Sequence, residues 1–364
     1  MKYLIELKPL GSYFFGGEVT FGEAGTAQNY LVKSNVMPQA SAVLGLMRYC
    51  ILRWKGLLSY SQDDVKLVTR LIGPKGFDFG ADADYGIIKS VSPVFITDGN
   101  DFYTPMPLDK MIRVERNEAD GKVSYTPKIL DNGMKVEFNG KNRCSFSDSA
   151  SNDSLPVING YDSKKYDTYK YWYGTNGIKS TEDLFTFSNQ IGITKNGRKK
   201  NEKDAFFKQT TVLLNPRMSF AFTVELKDNN FLSDKEIMDI ISKRHIVPFG
   251  GNRSMFLMTV KNSVDWNEKF SALHEDNRLL LLGDAVLEND LRNKCRFIWG
   301  ESKPFRYMIN VAKDRHSLGE PKKKEKLLHL QSRGSVIYAD PDTLNRIRNN
   351  AKTSLTDIGL NIFI

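Results

Sequence analysis

The chain has 364 residues, with 52 Lys and Arg against 43 Asp and Glu, giving a formal net charge of +9. An apolar share of 40% beside 26% charged residues argues against a disordered chain and supplies enough for the cores of two ordinary domains. The basic excess favours a polyanionic partner. Cys50, Cys144 and Cys295, far apart and without a CxxC pair, argue against a zinc ribbon or a disulfide framework.

The N-terminal "MKYLIELKPL" alternates as a strand over Tyr3–Leu7, closed by Pro9 and Gly11. It has no hydrophobic signal core with a cleavage site, and no apolar run approaches a membrane span. A cytoplasmic protein is expected. A loop rich in Gly and aromatic residues, "GSYFFGGEVTFGEAG", leads into "VMPQASAVLGLMRYCILRW", a helix. At about 100° per residue, Val43, Leu44, Leu46, Met47, Cys50, Ile51 and Trp54 share one broad side. Ser41, Gly45 and Arg48 fall opposite, at i, i+4 and i+7, with Pro38 just upstream. Glycine costs a helix interior ~1 kcal/mol relative to alanine. Gly45 therefore marks either close packing or a face bared for a ligand, and a helix N-terminus with an arginine suits an anion.

A second helix is expected over Gln62–Ile72, entered through Ser61 and stopped at "GPKG". Strands "YGIIKSVSPVFI" and "DFYTPMPLD" follow, joined by a turn at "TDGND". From about residue 117 to 179 the chain becomes polar and tyrosine-rich, an insertion or long surface excursion. "FSNQIGITKNGRKKNEKDAFFKQTTVLL" predicts a hairpin near 190–210, with strands at Gln190–Thr194 and Ala205–Leu214 and a basic tip at Lys195–Lys203. Beyond "NPR" come the strand "MSFAFTVEL", a helix begun by Ser233, and the strands "SMFLMTVK", "RLLLLGDAVL" and "KCRFIWG". "SVIYA", a helix around Asp342–Asn350 and "LNIFI" close the chain. The recurring order of strand, helix and several strands predicts two α+β domains, 1–215 and 216–364.

Chemical motifs are sparse. There is no GxSxG elbow, P-loop, GxGxxG or HExxH. None of His245, His274, His316 and His329 stands at metal-ligand spacing with another His or Cys. His245, ahead of "IVPFGGNRS", is the best candidate for acid–base work on a 2′-hydroxyl, but no second base accompanies it. No catalytic residue, metal site or cofactor is expected. Basic clusters say more: "GRKK" at 197–200 and "PKKKEK" at 321–326, with Arg48 and Arg253, suit a track for a single strand with Phe and Tyr for stacking. Gly45, Gly192, Gly250, Gly251 and Gly334 beside basic residues would let a phosphate backbone approach.

Several blocks together resemble a known family. "MPQASAVLGLMR" is similar to the P-x-x-S-x-x-x-G-x-x-R helix of the RAMP superfamily. "YTPMPLD", "QIGITKNG…AFFKQT", "VPFGGNRSMF" and "RGSVIY…IGLN" resemble, in order, blocks of its type III-B Cmr branch, the subunit holding the 5′ handle of the CRISPR guide RNA. Gln190 departs from the basic residue expected before the Gly-Ile pair, and the 117–179 region has no counterpart. The resemblance implies an α+β fold of two ferredoxin-like (RRM-like) domains with glycine-rich loops, and no nuclease activity. It implies as partners the guide RNA, a large polymerase/cyclase-like subunit and a guide-coating backbone subunit, with target RNA reached indirectly. Its implied contacts are Ser41, Gly45 and Arg48; Gly192, Lys195, Arg198, Lys199 and Lys200 on a thumb-like hairpin; Gly250, Gly251, Arg253 and Ser254; and Gly334. Two alternatives stand beside it: an endoribonuclease cutting guide precursor with His245 as base, and an assembly subunit whose basic residues meet acidic protein surfaces.

Overall fold

Strand β1 (Lys2–Pro9) buries Ile5 and Leu7 in one core and Leu4 in another, so its alternation serves two packed faces. The structure is a computed structural model. It describes residues 1–17, 31–74, 76–79, 84–110, 112–119, 122–129, 135–138, 144–147, 154–157, 168–195, 201–227, 236, 239, 243–311, 320–323, 327–349 and 351–364. β1 lies inside the main sheet, antiparallel to β15 (Ser219–Leu226) on one side and to β17 (Met255–Asn262) on the other. The sheet continues through β16 (His245–Pro248) beyond β17. In the other direction it runs through β4 (Phe95–Thr97), β5 (Phe102–Pro105), β11 (Tyr171–Gly174) and β12 (Gly177–Ser180), while β3 (Ile88–Val91) also pairs with β15.

The expected boundary at 215/216 therefore falls inside one hydrogen-bonded sheet: the first strand of the chain sits between two strands from beyond it. The expected excursion is also shorter than 117–179. Tyr171–Ser180 belongs to the main sheet, with Trp172 buried against Phe185. Between β5 and β11 the chain forms a hairpin of β6 (Ile112–Ala119) and β7 (Lys122–Ile129), and a small sheet of β8 (Lys135–Phe138), β9 (Cys144–Ser147) and β10 (Ser154–Val157).

Helix α1 (Ala40–Trp54) lays Val43, Leu44, Leu46, Met47, Cys50 and Ile51 on the main sheet, the face expected from its periodicity. Helix α2 starts at Val65, three residues later than expected, and runs to Ile72. Asp64 accepts from both the amide and the hydroxyl of Ser61 (2.9 and 2.8 Å), so Ser61–Asp64 is spent on a turn. The other face of the sheet is covered by Trp266, Phe270 and Leu273, which join Phe95 and Phe102 to Leu280, Val336 and Tyr338. Those last residues belong to a second sheet of β18 (Arg278–Leu280), β19 (Phe297–Trp299) and β24 (Val336–Tyr338), backed by helix α3 (Pro341–Asn349). Two further pairs, β20 (Ser302–Phe305) with β23 (Leu328–Gln331) and β21 (Met308–Val311) with β22 (Glu320–Lys323), complete this half. The class is α+β, with mostly antiparallel sheets. The helix expected from Ser233 lies largely outside the described residues.

Candidate nucleic-acid interface

The loop after β1 organises the surface that the sequence singles out. In "SYFF" three successive residues each bridge to a different element: Tyr13 to Val212, Phe14 to Gly251 and Phe15 to Asn35. Val212 lies on β14 (Asn201–Leu214), the second strand of a hairpin whose first is β13 (Phe185–Lys195). Asn35 follows β2 (Leu31–Lys33), which runs parallel to β14, and leads into α1. The Tyr13 hydroxyl donates to the Val36 carbonyl at 2.9 Å, and the Ser34 hydroxyl accepts from the Phe15 amide at 2.8 Å. Tyr13, Phe15, Phe220, Phe249 and Phe256 anchor the loop through ring contacts of 4.7–6.3 Å between centroids. The hairpin, the "FGGNRS" turn and the start of α1 are thus held by one tripeptide.

The turn is built for tightness. Gly250 has φ +81°, and a Cβ there would stand 2.6 Å from the Phe14 carbonyl oxygen, so only glycine fits. The Gly251 amide donates to that same oxygen at 2.7 Å, and the Gly251 carbonyl accepts from the Ser254 amide at 3.1 Å. Between them Asn252 and Arg253 both have positive φ, 55° and 56°. Positive φ at both central positions is the habit of Asn-Gly turns; here the second place holds arginine, an uncommon left-handed residue. Asn252 donates to Gln209 of β14 at 2.9 Å. Ser254 is buried, its hydroxyl donating to the Gly251 carbonyl and accepting from the Phe14 amide. Gly250, Gly251 and Ser254 therefore shape the turn. Arg253 is the member left at the surface, and it makes no hydrogen bond or ion pair among the described residues.

On α1 the predicted face divides. Gly45 is exposed, and a Cβ built on it meets nothing within 4 Å, so no packing contact among the described residues requires glycine there. Ser41 lies in the first turn and is half-buried; the N-cap is Gln39, which makes no side-chain capping bond. Arg48 is drawn inward: its Nη2 donates to the Gly73 carbonyl at the end of α2 (3.2 Å), and its Nε is buried without a partner among the described residues. Burial pulls its guanidinium pKa down, against the opposing pull of Tyr85 and Asp84. Arg48 ties α1 to α2.

The expected hairpin exists, with strands longer than expected. Gly192 pairs with Phe207, and Lys195 with Asn201 across a register shift. Arg198, Lys199 and Lys200 lie outside the described residues. Gly334 is buried, 3.1 Å from Pro105 at its Cβ position, and its carbonyl accepts from the Leu108 amide. "YTPMPLD" and "RGSVIY" thus meet each other. Their junction is fixed by buried Asp109, which accepts from the Tyr338 hydroxyl at 2.7 Å and lies 3.1 Å from Arg278 Nε. Gly334 is spent on this junction and is not a surface a strand can reach. His245, on β16, sets its ring edge-on to Trp54 at 5.8 Å.

One feature escaped sequence reasoning. A cleft of about 590 Å³ opens beside the start of α1, between Asn35–Ala40 and the second half of the chain at Asp284, Lys303 and Arg333. Asp284 is buried. Burial opposes its ionisation, but Lys303 (2.7 Å), Arg333 and the Arg333 amide outweigh it and hold the carboxyl at about 2. No spacing in the sequence signals that 284, 303 and 333 converge. Among the described residues no group of three His, Cys, Asp or Glu is placed to hold a metal ion, and no helix is long and apolar enough to cross a membrane.

Comparison with solved structures finds this fold in chains of the type III-B Cmr-beta complex. One, from the complex bound to cognate target RNA, has a TM-score of 0.51 at 14% identity, covering 100% of this chain and 96% of that one. Another, from the complex bound to cognate target RNA and AMPPnP, has a TM-score of 0.50 at 14% identity, covering 99% and 96%. At such identity the likeness is one of fold. No curated protein matches the chain. The family described as "CRISPR-associated protein (Cas_Cmr3)" matches residues 5–354. The chain belongs to that family.

Proposed function

We propose that this chain is a non-catalytic subunit of a type III-B Cmr effector that holds the 5′ handle of the guide RNA. It would sit between a large polymerase/cyclase-like subunit and a guide-coating backbone subunit. Membership of the Cas_Cmr3 family supports the setting. The observation that carries the RNA reading is the uncovered Gly45 on α1, an open backbone face linked through Tyr13–Phe15 to a turn presenting Arg253. An open glycine lets a phosphate backbone approach, and Arg253 supplies a phosphate contact. Ser41, near the uncapped start of α1, adds a hydroxyl and a helix N-terminus. Arg48 serves by holding the α1–α2 pair, and the basic hairpin marks the end of the handle.

The test is binding of handle RNA by the isolated chain across a salt series, with RNA integrity followed on denaturing gels. The expected result is intact RNA and a salt slope that falls by about 0.7 when Arg253→Ala removes one phosphate contact. Metal-independent cleavage that disappears with His245→Ala would replace this reading with the endoribonuclease.

A further inference from the structure

The outer face of the main sheet changes character from its middle to one corner. Its outer surface carries Leu4, Phe95 and Phe102, buried beneath Trp266 and Phe270. At the corner formed by the end of β1, β17 and β16, the same surface carries exposed side chains. Ile246 pairs with Leu257 and that with Lys8; Pro248 pairs with Met255, whose carbonyl accepts from the Leu10 amide at 3.0 Å. Strand alternation turns these side chains outward, because their neighbours Val247, Phe256, Met258 and Leu7 fill the core behind. Ile246 is 51% exposed, Leu10 54% and Met255 39%. Ile246, Pro248, Met255, half-buried Leu257 and Leu10 just past β1 thus form one continuous apolar patch, the kind that marks an interaction site.

Its chemistry selects the occupant. The patch holds no aromatic ring and no acceptor or donor side chain, so it offers a nucleobase neither stacking nor pairing. The free edge of β16 is closed to an added strand: Arg53 Nη1 donates to the Ile246 carbonyl at 2.6 Å, and Pro248 has no amide hydrogen. The rim is basic, with Lys8 and Arg244 exposed, while Glu6 is neutralised by Lys261 at 2.8 Å. A second copy of this chain would bring the same basic rim and be repelled. We infer that this corner docks a neighbouring protein subunit of the effector through an aliphatic patch with an acidic rim. The Gly251–Ser254 turn continues directly into β17, so that subunit would sit beside the guide. This inference extends the proposed function, and its test keeps the two apart.

The experiment compares the wild-type chain with Ile246→Asp, the milder Ile246→Ser and the rim variant Lys8→Glu in effector reconstituted with guide RNA. Each isolated variant is first checked for folding and handle-RNA binding. The expected result is RNA affinity within about twofold of wild type, with retention of one neighbouring subunit reduced about tenfold or more by Ile246→Asp. Ile246→Ser should give a smaller loss, and Lys8→Glu a loss that fades at high salt. Hydrogen exchange at β16–β17 should slow on assembly and not on adding RNA alone. Full retention of every subunit with unchanged exchange would overturn the proposal. So would protection by RNA alone, or concentration-dependent dimerisation lost with Ile246→Asp. Failure of the wild-type chain to bind handle RNA counts instead against the proposed function.

Discussion

Arg253→Gly separates stability from function at a single residue. Arg253 occupies the second central position of the Gly251–Ser254 turn at φ 56°. A non-glycine residue held in that region costs about 1–3 kcal/mol, whereas glycine adopts it freely. Glycine also adds about 0.4–1 kcal/mol of unfolded-state entropy to be lost on folding. The net effect is stabilisation of about 0–2.5 kcal/mol. The exposed guanidinium makes no bond to the described residues whose loss would offset this. In the same variant one phosphate contact disappears, so the salt slope for handle RNA should fall by about 0.7. Urea denaturation and RNA binding at four or five salt concentrations measure both. A loss of stability above about 1 kcal/mol would show that the arginine serves the fold; an unchanged slope would remove it from the RNA interface.

Gly45→Ala should stabilise the isolated chain by up to ~1 kcal/mol, and Gly45→Leu should fold normally yet weaken handle RNA about tenfold or more, since the side chain projects into open space. Unfolding by Gly45→Leu, or unchanged RNA affinity, would refute the account of that face. Arg48→Ala should leave the salt slope unchanged and cost about 1 kcal/mol of stability through its bond to Gly73, read by the same two assays. Asp284 should make the protein acid-sensitive: its pKa is depressed to about 2, so its contribution is present above about pH 4 and lost as pH falls toward 2. Asp284→Asn should flatten that part of the denaturation profile. Deleting Asn196–Glu202 and closing the hairpin with a short turn should leave stability nearly unchanged and shift the guide's nuclease footprint at the handle boundary; an identical footprint would make the tip a plain surface loop.

Local features were legible where a local rule decides them. Pro38 and the 3.6-residue apolar stripe bound α1, and the alternation in "LIELK" marks β1. The pairing of β1 with β15 and β17 was not legible, because register such as Leu7 with Phe220 depends on contacts across more than half the chain. The same distance explains the boundary expected at 215/216. Arg48 faces away from the core on a helical wheel, yet α2 folds its C-terminus over it, a tertiary event that the wheel omits. Gly334 stands near basic residues in sequence, but its neighbours in space are Pro105 and Met106. Gly45 is the converse case. Its helix cost was visible in the sequence, and the absence of a packing partner among the described residues emerged only in three dimensions.

The most direct measurement is photo-cross-linking of the guide within the reconstituted effector, with photoreactive nucleotides placed singly along the 5′ handle and cross-linked peptides identified by mass spectrometry. Handle cross-links are expected to peptides containing Ser41–Gly45 and Gly250–Ser254, with the hairpin peptide appearing only at the handle's last nucleotides. Handle cross-links confined to other subunits, or to this chain only through β16 and the outer corner of the main sheet, would contradict the proposed function.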